Sequence, residues 1–336
     1  MSRNVLITHA DEPLGRRLVK RLYHDDSIGS IFALGSGRPP RSFDRFLSSD
    51  DRLCYKRIDL TKHRPMANFF HSAEVRKRCI DTVVYVPRHS AARNQAPIPG
   101  GVSDCTSEAR LILQHALEIG AIRNLIAIGS AFVYRLTPGN SNRLLESSEL
   151  DLDPDVPSEI RSWIDCDMIF HGEINSERLR VTLLRVPTVV ASGGYVFLNP
   201  SLASGTGPRV RPLGFDPMCA LVSDKDVAAA ARLAIHARRA GIFNIAGPQT
   251  VPLSLLARWT GRPCLPLPGA LLRYASRAAR LVGREHLQAA LDGSHLRYGF
   301  TLDTTRAERE LGFRASYRIG LARAGDGRLR IEAVPA

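Results

Sequence analysis

An alternation of element types constrains this chain most. Short apolar runs rich in β-branched residues, at Val5–Thr8, Ile31–Leu34, Leu53–Ile58, Thr82–Val86, Leu125–Ile128 and Val181–Arg185, are separated by segments with helical spacing of apolar side chains. Helices are predicted at Leu14–Tyr23, Ser107–Ile119 and Ser158–Arg178. Strands that are apolar throughout are buried on both faces, and parallel strands need crossover helices to join them. The pattern predicts an α/β protein with a doubly wound parallel sheet and helices on both faces. After Arg185 it gives way to loops rich in Pro and Gly, at Gly193-Gly194, Gly205–Pro208 and Pro212–Gly214, as in a lobe that covers a ligand. A helix at Asp224–Arg238 and a strand at Gly241–Gly247 then resume the sheet pattern. We expect a core over residues 1–190 and a mixed, smaller second lobe over 191–336, with 217–247 returning to the core sheet.

Composition narrows the class. A chain of 336 residues that is 44% hydrophobic and 24% charged can bury a large core. Neither a signal peptide nor an apolar run of membrane-spanning length is visible, so a cytoplasmic protein is expected. The six cysteines, Cys54, Cys79, Cys105, Cys166, Cys219 and Cys264, lie far apart without metal-ligand spacing. They read as reduced thiols, and no metal site is expected. The net charge of +13 comes almost entirely from arginine scattered through every predicted element. With no nucleic-acid-binding module in the chain, we expect a solvated basic surface and no nucleic-acid partner.

The first strand enters the first helix through Thr8-His9-Ala10-Asp11-Glu12-Pro13-Leu14-Gly15. In a Rossmann-type dinucleotide turn, glycines allow a tight bend and close backbone approach to a pyrophosphate, which rests on the helix N-terminus. Only the last of three such glycines, Gly15, is present, and it also serves helix packing. Glu12 brings a carboxylate to the phosphate position. Two like charges about 4 Å apart cost roughly 4 kcal/mol at an effective dielectric near 20; Arg16, Arg17 and Lys20 either offset this in part or, as the favoured reading has it, form a solvated helix face. The second strand should end in an acid that holds the cofactor ribose. It ends instead in Leu34-Gly35-Ser36-Gly37-Arg38, where Arg38 and Arg41 suit the 2′-phosphate of NADP or form a basic loop with no ligand.

Five further segments carry a family resemblance. They are Leu125-Ile-Ala-Ile-Gly-Ser130-Ala-Phe-Val-Tyr134, Leu183-Leu-Arg185-Val-Pro187, Leu221-Val-Ser-Asp-Lys-Asp226-Val-Ala, Gly241-Ile-Phe-Asn244-Ile and Thr301-Leu-Asp303-Thr-Thr-Arg306-Ala-Glu-Arg-Glu-Leu311-Gly312-Phe313. In this order the chain resembles the extended short-chain dehydrogenases/reductases, specifically a divergent branch of the NAD-dependent epimerase/dehydratase family around UDP-glucose 4-epimerase. The resemblance implies a Rossmann-type core, NAD or NADP as cofactor, and a homodimer formed by two helices beside the sheet. It assigns cofactor contacts to Thr8, Leu14, Gly15, Arg16, Arg38, Asp59, Leu60 and Pro187.

The family's acid/base set is absent. There a tyrosine is made acidic by a lysine four residues on, beside an orienting hydroxyl. Ser130 takes the hydroxyl position, but no Tyr-x-x-x-Lys occurs in the chain, and the best alignment places Trp163 for the tyrosine and Asp167 for the lysine. An indole cannot exchange that proton, and a carboxylate raises a neighbouring phenol's pKa. Asp167 and His171, four apart on one predicted helix, read as a surface pair rather than a replacement catalytic set.

Three functions follow from these residues. The first is a non-catalytic or weakly ligand-binding member of the family, acting through a small nucleotide-like ligand or a protein partner. The second is an active NAD(P)-dependent epimerase or reductase on a nucleotide-activated sugar, with altered acid/base residues. The third is a membrane-surface accessory protein. For the third, Arg273, Arg277, Arg280 and Arg284 share one helical face, while Leu271, Leu272, Ala275, Ala278 and Val282 cover much of the other. The expected arrangement puts that apolar face in the core and the arginines in water.

Overall fold

The computed structural model describes residues 2–88, 105–139, 141–191, 195–197, 199, 209–283, 287, 291, 293–323 and 329–336. Gly193-Gly194, Gly205–Pro208 and Arg284 lie outside them. The core is a seven-stranded sheet of β1 (Arg3–Ile7), β2 (Ile28–Gly35), β3 (Leu53–Arg57), β4 (Thr82–Tyr85), β5 (Asn124–Ser130), β6 (Arg180–Val186) and β7 (Gly241–Asn244). The spatial order is β7-β6-β5-β4-β1-β2-β3 and every pairing is parallel. Successive side chains of a strand point to opposite faces. Val5 and Ile7 accordingly join one buried cluster with Ala33, Val84, Ile126 and Leu184, while Leu6 joins another with Phe32, Val83, Leu125 and Leu183.

Helices α1 (Pro13–Tyr23) and α5 (Asp224–Ala237) cover the first face. Helices α2 (His63–Phe70), α3 (Cys105–Glu118) and α4 (Ser158–His171) cover the second. Helix α4 stops at His171, seven residues short of the expected end, because Gly172 begins a run of turns closed by Glu173 N–Phe170 O and Ile174 N–His171 O bonds. The chain winds from β1 outward to β3 and then crosses to β4 on the other side of β1. This reversal opens a crevice at the carboxyl ends of β1 and β4, where doubly wound sheets place ligands. Thr8 bridges its floor: its Oγ1 donates to Val86 O (3.0 Å) and accepts from Val86 N (2.8 Å).

The return to the core differs from the sequence expectation in one part. Helix α5 and strand β7 rejoin the main sheet, but Met218–Ser223 pairs with Thr188–Ala191 in a separate four-stranded sheet. Gly247 fixes that departure, since its amide donates to Leu221 O (2.8 Å) and a Cβ there would come within 2.5 Å of the same oxygen. Among the described residues no helix is long and apolar enough to cross a membrane.

Candidate active site

The loop after β1 is built around His9, whose φ of 45° is the left-handed conformation that a glycine would adopt freely. Its imidazole is held by a buried carboxylate on α3, with His9 Nε2 2.9 Å from Glu108 Oε2 and the two side chains 2% and 1% exposed. Gly15 packs α1 onto this loop, for a Cβ would overlap the His9 carbonyl. Leu14 is fully buried in the core. Glu12 caps α1 in an extended conformation without a side-chain cap bond. Burial pushes its carboxyl above the ordinary range, Asp11 adds to this, and His9, Arg88 and Arg16 oppose it. The helix N-terminus that would receive a pyrophosphate therefore carries a desolvated acid, and these residues do not fit that group. Arg17 is turned away to α5, where its Nε donates to Asp224 Oδ2 (3.0 Å). Arg88, a cation not anticipated from sequence, acts on both Glu12 and Asp59.

At the end of β2 the acid comes from the loop after the neighbouring strand β1. Asp11 Oδ2 accepts from Gly37 N (2.8 Å) and Ser36 Oγ (3.3 Å). Tyr55 OH donates to Gly37 O (2.9 Å) and Arg57 Nε to Ser36 O (3.1 Å). Gly35 is required here, since a Cβ would meet Tyr55 OH and the Asp11 carboxylate. Burial, with the charge of Asp11 second, pushes the Tyr55 phenol up to about 12. Arg38 is exposed, as is Asp59, whose Oδ1 accepts from Thr61 N (3.1 Å) and Thr61 Oγ1 (2.7 Å); Leu60 is buried. The charged side chains bonded to this strand end are thus Asp11 and Arg57, with Arg38 exposed beside them.

The place expected to hold acid/base chemistry holds a buried ion pair. Asp167 and Arg185, each 1% exposed, make a bidentate contact, Arg185 Nε–Asp167 Oδ2 at 2.8 Å and Nη2–Asp167 Oδ1 at 2.7 Å. Asp167 is not a surface residue paired with His171, which is exposed. The third guanidinium nitrogen donates to Glu146 O (3.3 Å), and the group lies over the Tyr134 ring, 4.8 Å from its centre. Burial opposes the Arg185 charge, but Asp167 outweighs it and the pKa is raised. Tyr134, pushed up to about 12 by burial, donates to Asn244 Oδ1 (2.7 Å), and Asn244 Nδ2 donates to Leu144 O (3.1 Å). Every charge in this network has a partner, and the Tyr134 phenol is spent on a structural hydrogen bond.

Ser130 Oγ accepts from Phe132 N (3.1 Å) and so caps the short 3-10 turn Ala131–Val133. Trp163 is half-buried against Phe132 with ring centres 6.3 Å apart, and Pro187 is buried beyond β6. His295, far away in sequence, is also brought against Phe132, with ring centres 5.0 Å apart. All six cysteines are free thiols, as expected, and two of them, Cys105 and Cys166, 61 residues apart, meet where α3 packs on α4, with Cys166 Sγ donating to Cys105 Sγ at 2.7 Å.

No known family model matches the chain. It is 27% identical over 333 residues to the uncharacterized protein Rv0501 of Mycobacterium tuberculosis, covering 93% of this chain and 80% of that protein. The uncharacterized protein Mb0513 of Mycobacterium bovis matches to the same extent. Among solved structures, DesIV, a dTDP-glucose 4,6-dehydratase of Streptomyces venezuelae with NAD bound, superposes with a TM-score of 0.65 at 19% identity, covering 96% of this chain and 94% of that one. WbmG of Bordetella bronchiseptica, in complex with NAD and UDP, gives 0.60 at 15% identity, covering 94% and 89%. The protein thus shares the α/β Rossmann-type fold of these solved structures.

Proposed function

We propose that this chain is a non-catalytic member of the epimerase/dehydratase group, whose crevice binds a small nucleotide-like ligand weakly and performs no hydride transfer. The carrying observation is the Asp167–Arg185 pair, set with Trp163 where the resemblance calls for lysine and tyrosine. A neutralised, fully hydrogen-bonded pair has no proton to move at neutral pH and no free charge to lower a phenol's pKa. The desolvated Glu12 points the same way, because it puts acid where a dinucleotide carries phosphate. Asp11, bonded at the end of β2, supplies the acid that the strand end itself lacks, which suits the ribose of NAD, whereas Arg38 suits the 2′-phosphate of NADP. Turnover assays on UDP- and dTDP-glucose with NAD or NADP test the reading. It expects no epimerised or dehydrated sugar, and a Ser130→Ala variant that loses about 1 kcal/mol of stability with its cap and nothing else. Measurable turnover abolished by Ser130→Ala would restore the reading of an active epimerase or reductase with altered acid/base residues.

A second reading, work at an anionic membrane surface, is favoured by α6 (Gly269–Leu281). Within this helix only Leu272 and Ala279 are buried. Leu271, Tyr274 and Leu281, on one stripe, are 51%, 68% and 87% exposed, so the apolar side does not cover the core as expected. Arg273, Arg277 and Arg280 form the adjoining stripe, although Arg280 also pairs with Asp155. Residues 227–284 contain no aspartate or glutamate at all. Each arginine near an anionic leaflet contributes about 1 kcal/mol. Co-sedimentation should show binding to phosphatidylglycerol-containing vesicles but not to phosphatidylcholine alone, weakening with salt and lost in Arg273→Glu/Arg277→Glu. Equal sedimentation of that variant would exclude the stripe.

A further inference from the structure

We propose that His71, His115 and Glu118 form a binding site for a divalent ion of the zinc class, remote from the crevice and joining the end of α2 to the last turn of α3. Each residue offers one donor atom, and the three atoms lie within 4.8 Å of one another. Two imidazoles and a carboxylate are a borderline donor set suited to zinc and its neighbours rather than to magnesium or calcium. Helix α3 also carries Glu108, which faces the crevice through His9; Glu118 is ten residues further along, about 15 Å of helix.

The geometry is organised before any ion arrives. Gln114 Nε2 donates to Glu118 Oε1 (2.8 Å) and so turns the other oxygen toward the histidines. Glu118 Oε2 then stands 3.0 Å from His115 Nδ1 and 3.8 Å from His71 Nε2. Donors about 2.0–2.1 Å from a tetrahedral ion are separated by roughly 3.3 Å, so the three donor atoms, now within 4.8 Å of one another, need to close by up to about 1.5 Å to complete the set, a movement the exposed His71 and Glu118 side chains allow. The His115 ring is fixed: it is 1% exposed, stacks on Phe70 with ring centres 5.0 Å apart, and meets the His71 ring edge-on at 5.9 Å. Its Nε2 is buried without a hydrogen-bond partner among the described residues. The side chains of His71 and Glu118 are 60% and 41% exposed, which leaves both free to adjust and opens a fourth position to water. Gln114 supplies the outer hydrogen bond that commonly orients a ligating carboxylate.

The test uses the full chain without a polyhistidine tag, stripped with a chelator and titrated with Zn²⁺ in a calorimeter, and with Co²⁺ followed by visible absorption. One equivalent should bind, the Co²⁺ form should show the intense visible bands of a four-coordinate site, and the melting temperature should rise with metal concentration. His71→Ala and Glu118→Gln alter exposed side chains, keep the fold, and should each weaken binding at least tenfold. Gln114→Ala should weaken it between tenfold and a hundredfold while leaving every donor in place. Absence of a stoichiometric binding event, or binding unchanged in His71→Ala and Glu118→Gln, would overturn the proposal; the latter would assign the metal to other histidines or cysteines.

Discussion

Replacing Asp167 with alanine is expected to destabilise the protein by about 3–5 kcal/mol, because it strands the Arg185 guanidinium in the core. The pair is bidentate and nearly fully buried, and its remaining nitrogen is already engaged with Glu146 O, so losing the carboxylate leaves the guanidinium without its only charged partner among the described residues. Asp167→Lys, which would rebuild the lysine position of the resemblance, should be worse still, since it sets two cations side by side. The double variant Asp167→Ala/Arg185→Met should recover much of the loss, as removal of both charges leaves none unpaired. Chemical denaturation of the four proteins checks this. Wild-type stability in Asp167→Ala would mean that the pair does not hold this end of the sheet together.

The second large effect is pH-dependent. Glu159, in the first turn of α4, is buried, its Oε2 has no partner among the described residues, and burial pushes its carboxyl up to about 7. Relative to the ordinary glutamate value of 4.5, the folded state favours the protonated form. That contribution is fully present below about pH 4.5 and lost as pH rises through 7. The shift corresponds to about 3 kcal/mol, of which the helix N-terminus returns up to about 1 by favouring the charged form. Glu159→Gln should therefore match wild type near pH 5 and exceed it by about 2 kcal/mol at pH 8. A difference that does not grow with pH would contradict the assignment.

The sheet was legible because burial on both faces writes itself into a strand as a continuous apolar run, as in Val83-Val84 and Leu125-Ile126. The absence of a Tyr-x-x-x-Lys pair was equally plain, being a matter of residue type at fixed spacing. What the vacated positions do instead was not legible. Asp167 reads as a surface acid beside His171 until the fold brings Arg185 against it from a strand 18 residues away. Asp11, Gly37, Tyr55 and Arg57 close the β2 loop from three separate segments, and Cys105 and Cys166 meet only because α3 packs on α4. The sequence expectation of no metal site rested on spacing alone. His71 and His115 are 44 residues apart, and only the i, i+3 relation of His115 to Glu118 was local. Helix α6 was misjudged for a different reason: small apolar residues at helical spacing imply a buried face, whereas burial here is confined to Leu272 and Ala279.

Whether the crevice carries a dinucleotide separates a non-catalytic protein from an active enzyme most directly. Native mass spectrometry of the freshly purified chain, followed by calorimetric titration with NAD, measures this directly. With His9 and Glu12 in the loop, no dinucleotide should co-purify and the dissociation constant for NAD should lie well above about 10 μM, corresponding to less than roughly 7 kcal/mol of binding. Binding should tighten at least tenfold once His9→Gly/Glu12→Gly restores the open loop. A chain that arrives with NAD bound, or that binds it at or below micromolar concentration with His9 and Glu12 in place, would contradict the non-catalytic function.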